Sequence, residues 1–176
     1  IDSKMIGQSA SGLNGGFCSP GWSANRQNII KRFGLDTAKK FNDLSCEGVQ
    51  WLSSMLEKSH FGNLDLKWKL LHLFMYGKKN EIRSSIEFEN KFFGETKCFI
   101  SYPELSKFTN SNKYKFGIYS RDGFHFNPFN FVCDLKNMLV RKGAKIFEKS
   151  RMSHLLQNND YCEIRTDTGY TIKANR

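Results

Sequence analysis

A glycine- and serine-rich segment near the start of the chain holds the residue types best suited to binding a phosphate or a flat ring. It reads Gly-Gln-Ser-Ala-Ser-Gly-Leu-Asn-Gly-Gly over residues 7–16. Glycines allow backbone N–H groups to approach a ligand closely, and the Ser and Asn side chains add short hydrogen-bond donors. Composition alone leaves a plain surface loop as the alternative, because glycine and serine are also common there.

Asp2 is the second residue with chemical promise, because it follows an apolar residue as if at the end of a β-strand. In dinucleotide-binding folds, an acidic residue ending the second strand binds the ribose hydroxyls, about 20 residues after a G-x-G-x-x-G phosphate fingerprint. The sequence contains no such fingerprint, and only Ile1 precedes Asp2. We therefore expect the chain to be an internal segment of a longer protein. An ordinary exposed carboxylate is the alternative.

Other residues that could take part in chemistry have simpler structural interpretations. His125 lies between two phenylalanines near a predicted turn, which favours a structural histidine over a general base. The remaining histidines are interpreted in the same way: His60, His72 and His154. The phenylalanines at 124, 126, 129 and 131 are interpreted as core.

The net charge of +10 suggests nucleic acid as a partner. Basic residues outnumber acidic ones in each third of the chain, so the excess is dispersed rather than gathered in one arm or stripe. Lysines outnumber arginines 19 to 8, although Arg is preferred for bidentate recognition of phosphates and bases. We therefore expect no nucleic-acid partner, and a basic binding module stays as the alternative of a different class.

No apolar run approaches the roughly 20 residues needed to cross a bilayer, so we expect no membrane span. The five cysteines, at positions 18, 46, 98, 133 and 162, lack CxxC spacing. Free thiols in a reducing, cytoplasmic compartment are therefore favoured over disulfides or a zinc site.

Hydrophobic periodicity and turn residues predict a mixed α/β chain. Four helices are predicted. The first covers residues 23–59 and is broken at Gly34, and the second covers residues 78–93. The third begins at a capping box, Ser101-Tyr-Pro-Glu104, and the fourth covers residues 128–142 between Asn127 and Gly143. The apolar face of the first helix is predicted to hold Ala38, Phe41, Leu44, Cys46, Val49, Leu52, Met55 and Leu56. Strands are predicted over residues 66–76, 98–100, 114–120 (ending in a turn at 121–123), 144–147, 152–156, 161–166 and 170–174.

The order of these motifs resembles the FAD-dependent D-amino-acid oxidase superfamily, in particular its glycine/sarcosine and gamma-glutamylputrescine oxidoreductase branch. That branch has an acidic residue ending the second Rossmann strand, then a loop like Gly-Ala-Ser-Gly-Arg-Asn-Gly-Gly, and here Ile1-Asp2 precedes the glycine segment that ends at Phe17. Residues 119–131, with Asp122-Gly and Asn127-Pro128, match the family's segment of glycine, His-Pro and helix. Residues 142–152 match its segment of glycine, strand and valine, and residues 166–174 match its meander.

The resemblance implies FAD as the cofactor. Asp2 would hydrogen-bond the adenosine ribose, and Ser11 and Gly12 would lie along the pyrophosphate or ribityl chain. Met152 stands at the family's valine position, whose main chain contacts the adenine, and a main-chain contact tolerates the change.

The rest of the loop is implied to lie near the flavin: Asn14, Gly15 and Gly16. Leu13 belongs to the same cofactor-binding set, but it stands where the branch usually has Arg. Asn127 stands where the branch often has His before Pro128. These two departures leave the cofactor assignment in place and weaken any exact substrate assignment.

The resemblance also implies an α/β fold and an enzyme. Residues 1–22 and 127–176 would be parts of an incomplete FAD-binding Rossmann-type domain, and residues 23–126 a helical segment with an inserted α+β substrate domain. The implied reaction oxidises the C–N bond of a small amine or amino acid to an imine, with hydride transfer to flavin N5. The electrons would pass to oxygen, or to a carrier in a dehydrogenase of the same fold. No catalytic residue is identified, and the chain alone is expected to bind FAD poorly and to be inactive.

Overall fold

The structure is a computed structural model that describes residues 1–58, 61–157 and 159–175. Four residues lie outside the described ones: Ser59, the predicted end of the first helix; His60, interpreted as structural; Asn158, between two predicted strands; and Arg176, the last residue. The chain forms two compact units that are interleaved in sequence. The first unit comprises Ile1–Gly15, Phe61–Leu64 and Asn127–Arg176, and the second comprises Gly16–His60 and Asp65–Phe126.

The described elements confirm a mixed α/β chain. In chain order they are β1 (Phe17–Cys18), α1 (Arg26–Phe33), α2 (Leu35–Lys58), β2 (Lys67–Phe74), α3 (Lys79–Phe93), β3 (Cys98–Ser101), α4 (Tyr102–Leu105), β4 (Phe116–His125), α5 (Pro128–Arg141), β5 (Met152–Gln157), β6 (Tyr161–Thr166) and β7 (Thr171–Asn175). The capping box before α4 is present, since the Glu104 carboxylate accepts from the Ser101 amide at 2.9 Å and from its hydroxyl at 2.6 Å.

The second unit is built on an antiparallel sheet with β4 at its centre. Strand β2 pairs along one edge of β4, and β1 and β3 pair along the other. The core of the sheet is aromatic: Phe116 is 1% exposed and stacks with Phe74 and Phe99 at centroid distances of 5.1 and 5.3 Å. Phe124 is fully buried, with the Trp68 ring 5.0 Å away. Large aromatic rings of this kind supply most of the stabilising apolar burial.

Helices α1 and α2 belong to the second unit and are separated at Gly34, as predicted. Gly34 has a φ of +82°, which a residue with a side chain adopts only with strain. The predicted apolar face of α2 is correct for Ala38, Val49 and Leu56, which are buried, and wrong for Leu44, which is 57% exposed. The buried face also carries two polar residues that the apolar period does not predict: Asn42 and Ser53.

The first unit contains α5 and the three-stranded meander β5-β6-β7, both as predicted. Asn127 caps α5 by accepting a hydrogen bond from the Asn130 amide at 3.0 Å, and Pro128 fills the first helical position. The short segment Phe61–Leu64 packs on the start of this helix: Phe61 lies 5.3 Å from the Phe131 ring, and the Leu64 carbonyl accepts from the Asn127 amide.

Two local predictions are wrong, and one strand is not predicted. Residues 121–123 do not form a turn, because β4 continues through them to His125. At Gly123 a Cβ would lie 2.7 Å from the Cys18 carbonyl oxygen and from Leu70 Cδ1, so this glycine permits a close approach rather than a turn. Residues 144–147 do not form a buried strand, and Phe147 is 45% exposed. The glycine-rich start also includes a short strand at Phe17–Cys18, since this stretch pairs with β4.

Candidate functional site

The glycine-rich loop of the first unit is held by contacts between its own backbone atoms. A Cβ at Gly12 would lie 2.1 Å from the Gly7 carbonyl oxygen, a distance that no side chain can occupy. Gly7 has a φ of +89°, and a Cβ there would lie 2.9 Å from the Phe129 ring. Both glycines are buried, so the loop folds back on itself and packs on α5 only because these positions lack side chains.

Short hydrogen bonds complete the loop. The Ser9 carbonyl accepts from the amides of Gly12 and Leu13, both at 3.0 Å. The Asn14 side-chain amide donates to the carbonyls of Ala10 and Ser11, at 2.9 and 3.0 Å. These bonds satisfy the interior of the loop and leave the Ser11 and Leu13 side chains exposed, with Leu13 71% accessible.

Asp2 is fixed through its backbone to the segment that follows α5. Its amide donates to the Phe147 carbonyl at 2.9 Å, and its carbonyl accepts from the Ser150 amide at 2.8 Å. This is the hydrogen-bond pattern of two parallel strands with one extra residue, Lys149, whose φ is +52°. The half-buried carboxylate accepts from the Lys4 amide through Oδ1 at 2.8 Å. The location and orientation of Asp2 are therefore set by main-chain contacts.

Glu148 is a residue of this region that the sequence reading missed. Its carboxylate accepts from Lys136 Nζ of α5 and from the Ile6 amide, the latter at 2.7 Å. The hydrogen bond from Lys136 and then the Ile6 amide hold the pKa of the Glu148 carboxyl below its usual range. The ionised side chain thereby ties the entry of the glycine loop to the helix. No local sequence signal predicts this contact, because its partners lie far apart in the chain.

The structure brings most of the predicted cofactor-binding residues into the first unit: Asp2, Ser11, Gly12, Leu13, Asn14, Gly15 and Met152. Met152 begins β5, an edge strand of the described meander, and lies two residues after Ser150, the residue bonded to Asp2. Gly16 belongs instead to the second unit, where its carbonyl accepts from the Phe126 amide at 3.1 Å. The predicted set is therefore divided between the units.

The second unit contains an ion cluster that the sequence reading also missed. Arg26 Nη2 donates to Glu95 Oε1 and to Asn42 Oδ1, and Lys97 Nζ lies 2.7 Å from both Glu89 and Glu95 carboxylates. The Glu95 side chain is only 5% exposed. Burial alone would raise the pKa of this carboxyl, but the hydrogen bond from Arg26 and the contact with Lys97 outweigh it, so the pKa is lowered.

None of the described helices combines the length and the apolar character needed to cross a membrane.

Comparison with known proteins identifies a family and several relatives. The family described as FAD dependent oxidoreductase matches residues 1–174. A probable oxidoreductase, OrdL, from Haemophilus influenzae is 25% identical over 94% of this chain, and the gamma-glutamylputrescine oxidoreductase of Escherichia coli is 20% identical over 96%. The chain spans 39% of the length of each of these two relatives. A glycine oxidase structure from Bacillus cereus matches with a TM-score of 0.67 at 15% identity, covering 99% of this chain and 45% of that one.

Proposed function

The chain belongs to the family of FAD-dependent oxidoreductases, and from this premise we propose that the protein oxidises the carbon–nitrogen bond of a small amine or amino acid. The observation that carries the proposal is the match of the family to nearly the whole chain together with a glycine loop and an acidic residue in one compact unit. The relatives named above act, by their names, on glycine and on gamma-glutamylputrescine, both of which contain a C–N bond.

Asp2 fits the adenosine end of FAD. Its Oδ1 accepts from the Lys4 amide, while its Oδ2 accepts no hydrogen bond from any residue that the structure describes. A carboxylate oxygen in that state can accept from ribose hydroxyls, which are donors. The main-chain bonds to Phe147 and Ser150 hold the side chain in place, so little entropy would be lost when the ribose binds.

The loop residues fit the anionic middle of the cofactor. Among the described residues, the Ser11 amide donates no hydrogen bond, and the Ser11 hydroxyl is exposed. Free amides and hydroxyls on a glycine-rich turn are the donors that a pyrophosphate requires. Gly12 and Asn14 shape the turn, and Leu13 projects from it. We place Asn14, Gly15 and Gly16 toward the flavin end, as the family pattern implies.

Met152 fits the adenine end through its main chain. An edge strand such as β5 leaves alternate N–H and C=O groups without a partner strand, and these groups can bond the edge of a base. The proposal assigns residues 1–22 and 127–176 to an FAD-binding domain and residues 23–126 to a helical segment and a substrate domain.

When bound, FAD supplies the redox chemistry by accepting a hydride from the carbon next to the substrate nitrogen. The residues of this chain bind and orient the cofactor, and the proposal assigns none of them as an acid or base. The final acceptor is oxygen in an oxidase and a protein or small-molecule carrier in a dehydrogenase. A cytoplasmic location and the absence of a nucleic-acid partner complete the proposal, on the cysteine and charge patterns of the sequence.

The test measures FAD affinity and turnover of the full-length protein with glycine, sarcosine and gamma-glutamylputrescine. Asp2→Asn should weaken FAD about tenfold or more, because a charge-assisted hydrogen bond is worth about 1.5–3 kcal/mol. Asp167→Asn, an exposed turn residue of the same unit, is the matched control and should leave FAD affinity unchanged. Hydrogen peroxide released during turnover identifies an oxidase, and turnover only with an added dye identifies a dehydrogenase. Failure of the full-length protein to retain FAD contradicts the proposal.

A further inference from the structure

One face of α5 supports the start of the glycine loop. Phe129, Cys133 and Lys136 follow one another at intervals of four and three residues, so they lie along a single face of the helix. A Cβ at Gly7 would lie 2.9 Å from the Phe129 ring and 3.6 Å from Cys133 Sγ. The loop entry therefore sits against this face, and Lys136 extends the face by one further turn.

Glu148 joins the same helix face to the residue that precedes Gly7. Its Oε1 accepts from the Ile6 amide at 2.7 Å, and its Oε2 accepts from Lys136 Nζ. The hydrogen bond from Lys136 lowers the pKa of the Glu148 carboxyl, so the side chain is charged at neutral pH. The Glu148 and Lys136 side chains are 20% and 27% exposed, so solvent screens this pair less than an ion pair in open water. The ion pair therefore orients the oxygen that accepts from Ile6.

The segment around Glu148 also holds Asp2. The Asp2 backbone is bonded to the residues at positions 147 and 150, Phe147 and Ser150, at 2.9 and 2.8 Å. Glu148 lies between these two residues, and its carboxylate bonds the chain again four residues after Asp2, at Ile6. One short segment thus fixes both Asp2 and the entry of the glycine loop.

We propose that Glu148 is a positioning residue for the cofactor site, where its ion pair with Lys136 holds the glycine loop in the place, relative to Asp2, that FAD requires. This inference rests on the proposed function, because it assumes that FAD binds at Asp2 and the loop. Glu148 acts through the Ile6 amide and not by contact with the cofactor. If the loop keeps its binding geometry for only a fraction of the time, the apparent dissociation constant of FAD rises by the inverse of that fraction.

The experiment measures the FAD affinity of the full-length protein by flavin fluorescence in matched variants. Glu148→Gln keeps an oxygen for the Ile6 amide and loses the charge that pairs with Lys136, so FAD should bind several-fold more weakly. Glu148→Leu loses both contacts, and affinity should fall about tenfold, as for a loop in place about a tenth of the time. Glu163→Leu is the matched control and should bind FAD as the wild type does, because the ion pairs of Glu163 lie within the meander.

A double variant tests whether the ion pair carries the effect. Glu148→Gln leaves the Lys136 ammonium without its carboxylate beside the loop entry. Adding Lys136→Met removes that unpaired charge and should recover part of the lost FAD affinity. Lys142→Met is the control for the second substitution, since Lys142 is exposed at the end of the same helix, and it should recover none.

Hydrogen exchange on FAD-free protein separates positioning from a general loss of structure. Residues 4–14 should exchange faster in Glu148→Leu than in the wild type, and the meander should exchange at the wild-type rate. Wild-type FAD affinity in Glu148→Leu, an equal loss in Glu163→Leu, or faster exchange throughout the first unit would each overturn the positioning role.

The same measurements distinguish failure of this inference from failure of the proposed function. A wild-type protein that retains no FAD contradicts the proposed function. A wild-type protein that binds FAD, with a Glu148→Leu variant of equal affinity, contradicts the positioning role alone.

Discussion

The glycine loop of the first unit and the aromatic sheet of the second unit are stabilised by different kinds of contact. In the loop, the closest approach joins backbone to backbone, at Gly12 and Gly7, and short hydrogen bonds satisfy the turn. In the sheet, the centre is side-chain packing, with Phe116 between two stacked rings. The buried ion cluster around Glu95 belongs to the second unit, whereas the Glu148–Lys136 pair of the first unit is more exposed.

This difference determines which substitutions each region tolerates. A loop built from backbone contacts leaves its amides and short side chains available to a ligand, at the cost of tolerating almost no substitution at its buried glycines. A sheet built from large side chains tolerates changes that keep volume and loses stability when volume is removed. The three predictions that follow test this comparison, from the largest expected effect to the smallest.

Phe116→Ala should destabilise the second unit by about 4 kcal/mol, because truncating a buried Phe removes its apolar burial and leaves a cavity. All three tryptophans, Trp22, Trp51 and Trp68, lie in this unit, so denaturant unfolding followed by tryptophan fluorescence reports on it directly. Phe108→Ala is the control, since Phe108 is 50% exposed, and should cost less than about 1 kcal/mol. Equal losses in the two variants would contradict an aromatic core centred on Phe116.

Gly12→Ala should cost about 3 kcal/mol in the first unit and abolish FAD binding, because the new methyl group meets the Gly7 carbonyl oxygen. Gly48→Ala is the matched change in the second unit, where a Cβ on α2 meets open space. It should stabilise by about 1 kcal/mol, the difference in helix propensity. Thermal unfolding and flavin fluorescence measure both variants. A Gly12→Ala protein with normal FAD affinity would show that the loop is less constrained than its geometry indicates.

Acidification should weaken the second unit through Glu95. Because the pKa of this carboxyl is lowered in the folded state, its contribution is present above the ordinary value near 4.5 and is lost as pH falls through the lowered value. The pKa of Lys97 is raised. Burial acts to lower it, but the hydrogen bonds that the Lys97 ammonium donates to Glu89 and Glu95 outweigh burial. The contribution of Lys97 to stability is therefore lost only as pH rises above about 10.5.

Tryptophan-detected stability between pH 7 and pH 3 measures the acid effect. Glu95→Gln should flatten the dependence, and Glu148→Gln should leave it unchanged because Glu148 lies in the first unit, which has no tryptophan. Two results would contradict a stabilising role of the ion cluster in the second unit. One is a tryptophan-detected stability that rises on acidification, and the other is a Glu95→Gln protein whose stability depends on pH as steeply as that of the wild type.

Local signals in the sequence predict most of the elements. Asn127, Pro128 and Gly143 delimit α5 because caps and φ preferences act within a few residues. Gly34 separates two helices for the same reason, and the turn residues between the arms of the meander predict β5 to β7. The predictions fail where contacts with residues distant in the sequence determine the local structure. Gly123 lies in a strand because Cys18 and Leu70 approach it. Residues 144–147 form no regular strand, and of these four only Phe147 bonds the start of the chain, through Asp2.

The assignment of Asp2 and the loop to the cofactor rests on the family pattern and stays a prediction. That pattern does not predict that Gly16 falls in the second unit or that Glu148 anchors the loop entry. The register shift between β2 and β4 after Trp68 and the ion cluster around Glu95 have no local signature, because each depends on residues brought together only by folding. Hydrophobic periodicity describes one helix or strand at a time, so it does not predict tertiary contacts of this kind.

The interleaving of the two units in sequence has a consequence for how the chain can unfold. Each long stretch of the second unit, Gly16–His60 and Asp65–Phe126, begins and ends beside a segment of the first. If the first unit stays folded while the second unfolds, each stretch of the second unit becomes a loop held at both ends. The conformational entropy that the chain gains on unfolding is then smaller than for a chain with free ends. A protease that cuts once within either stretch leaves both fragments attached to the first unit. Neither unit therefore corresponds to one continuous stretch of the sequence.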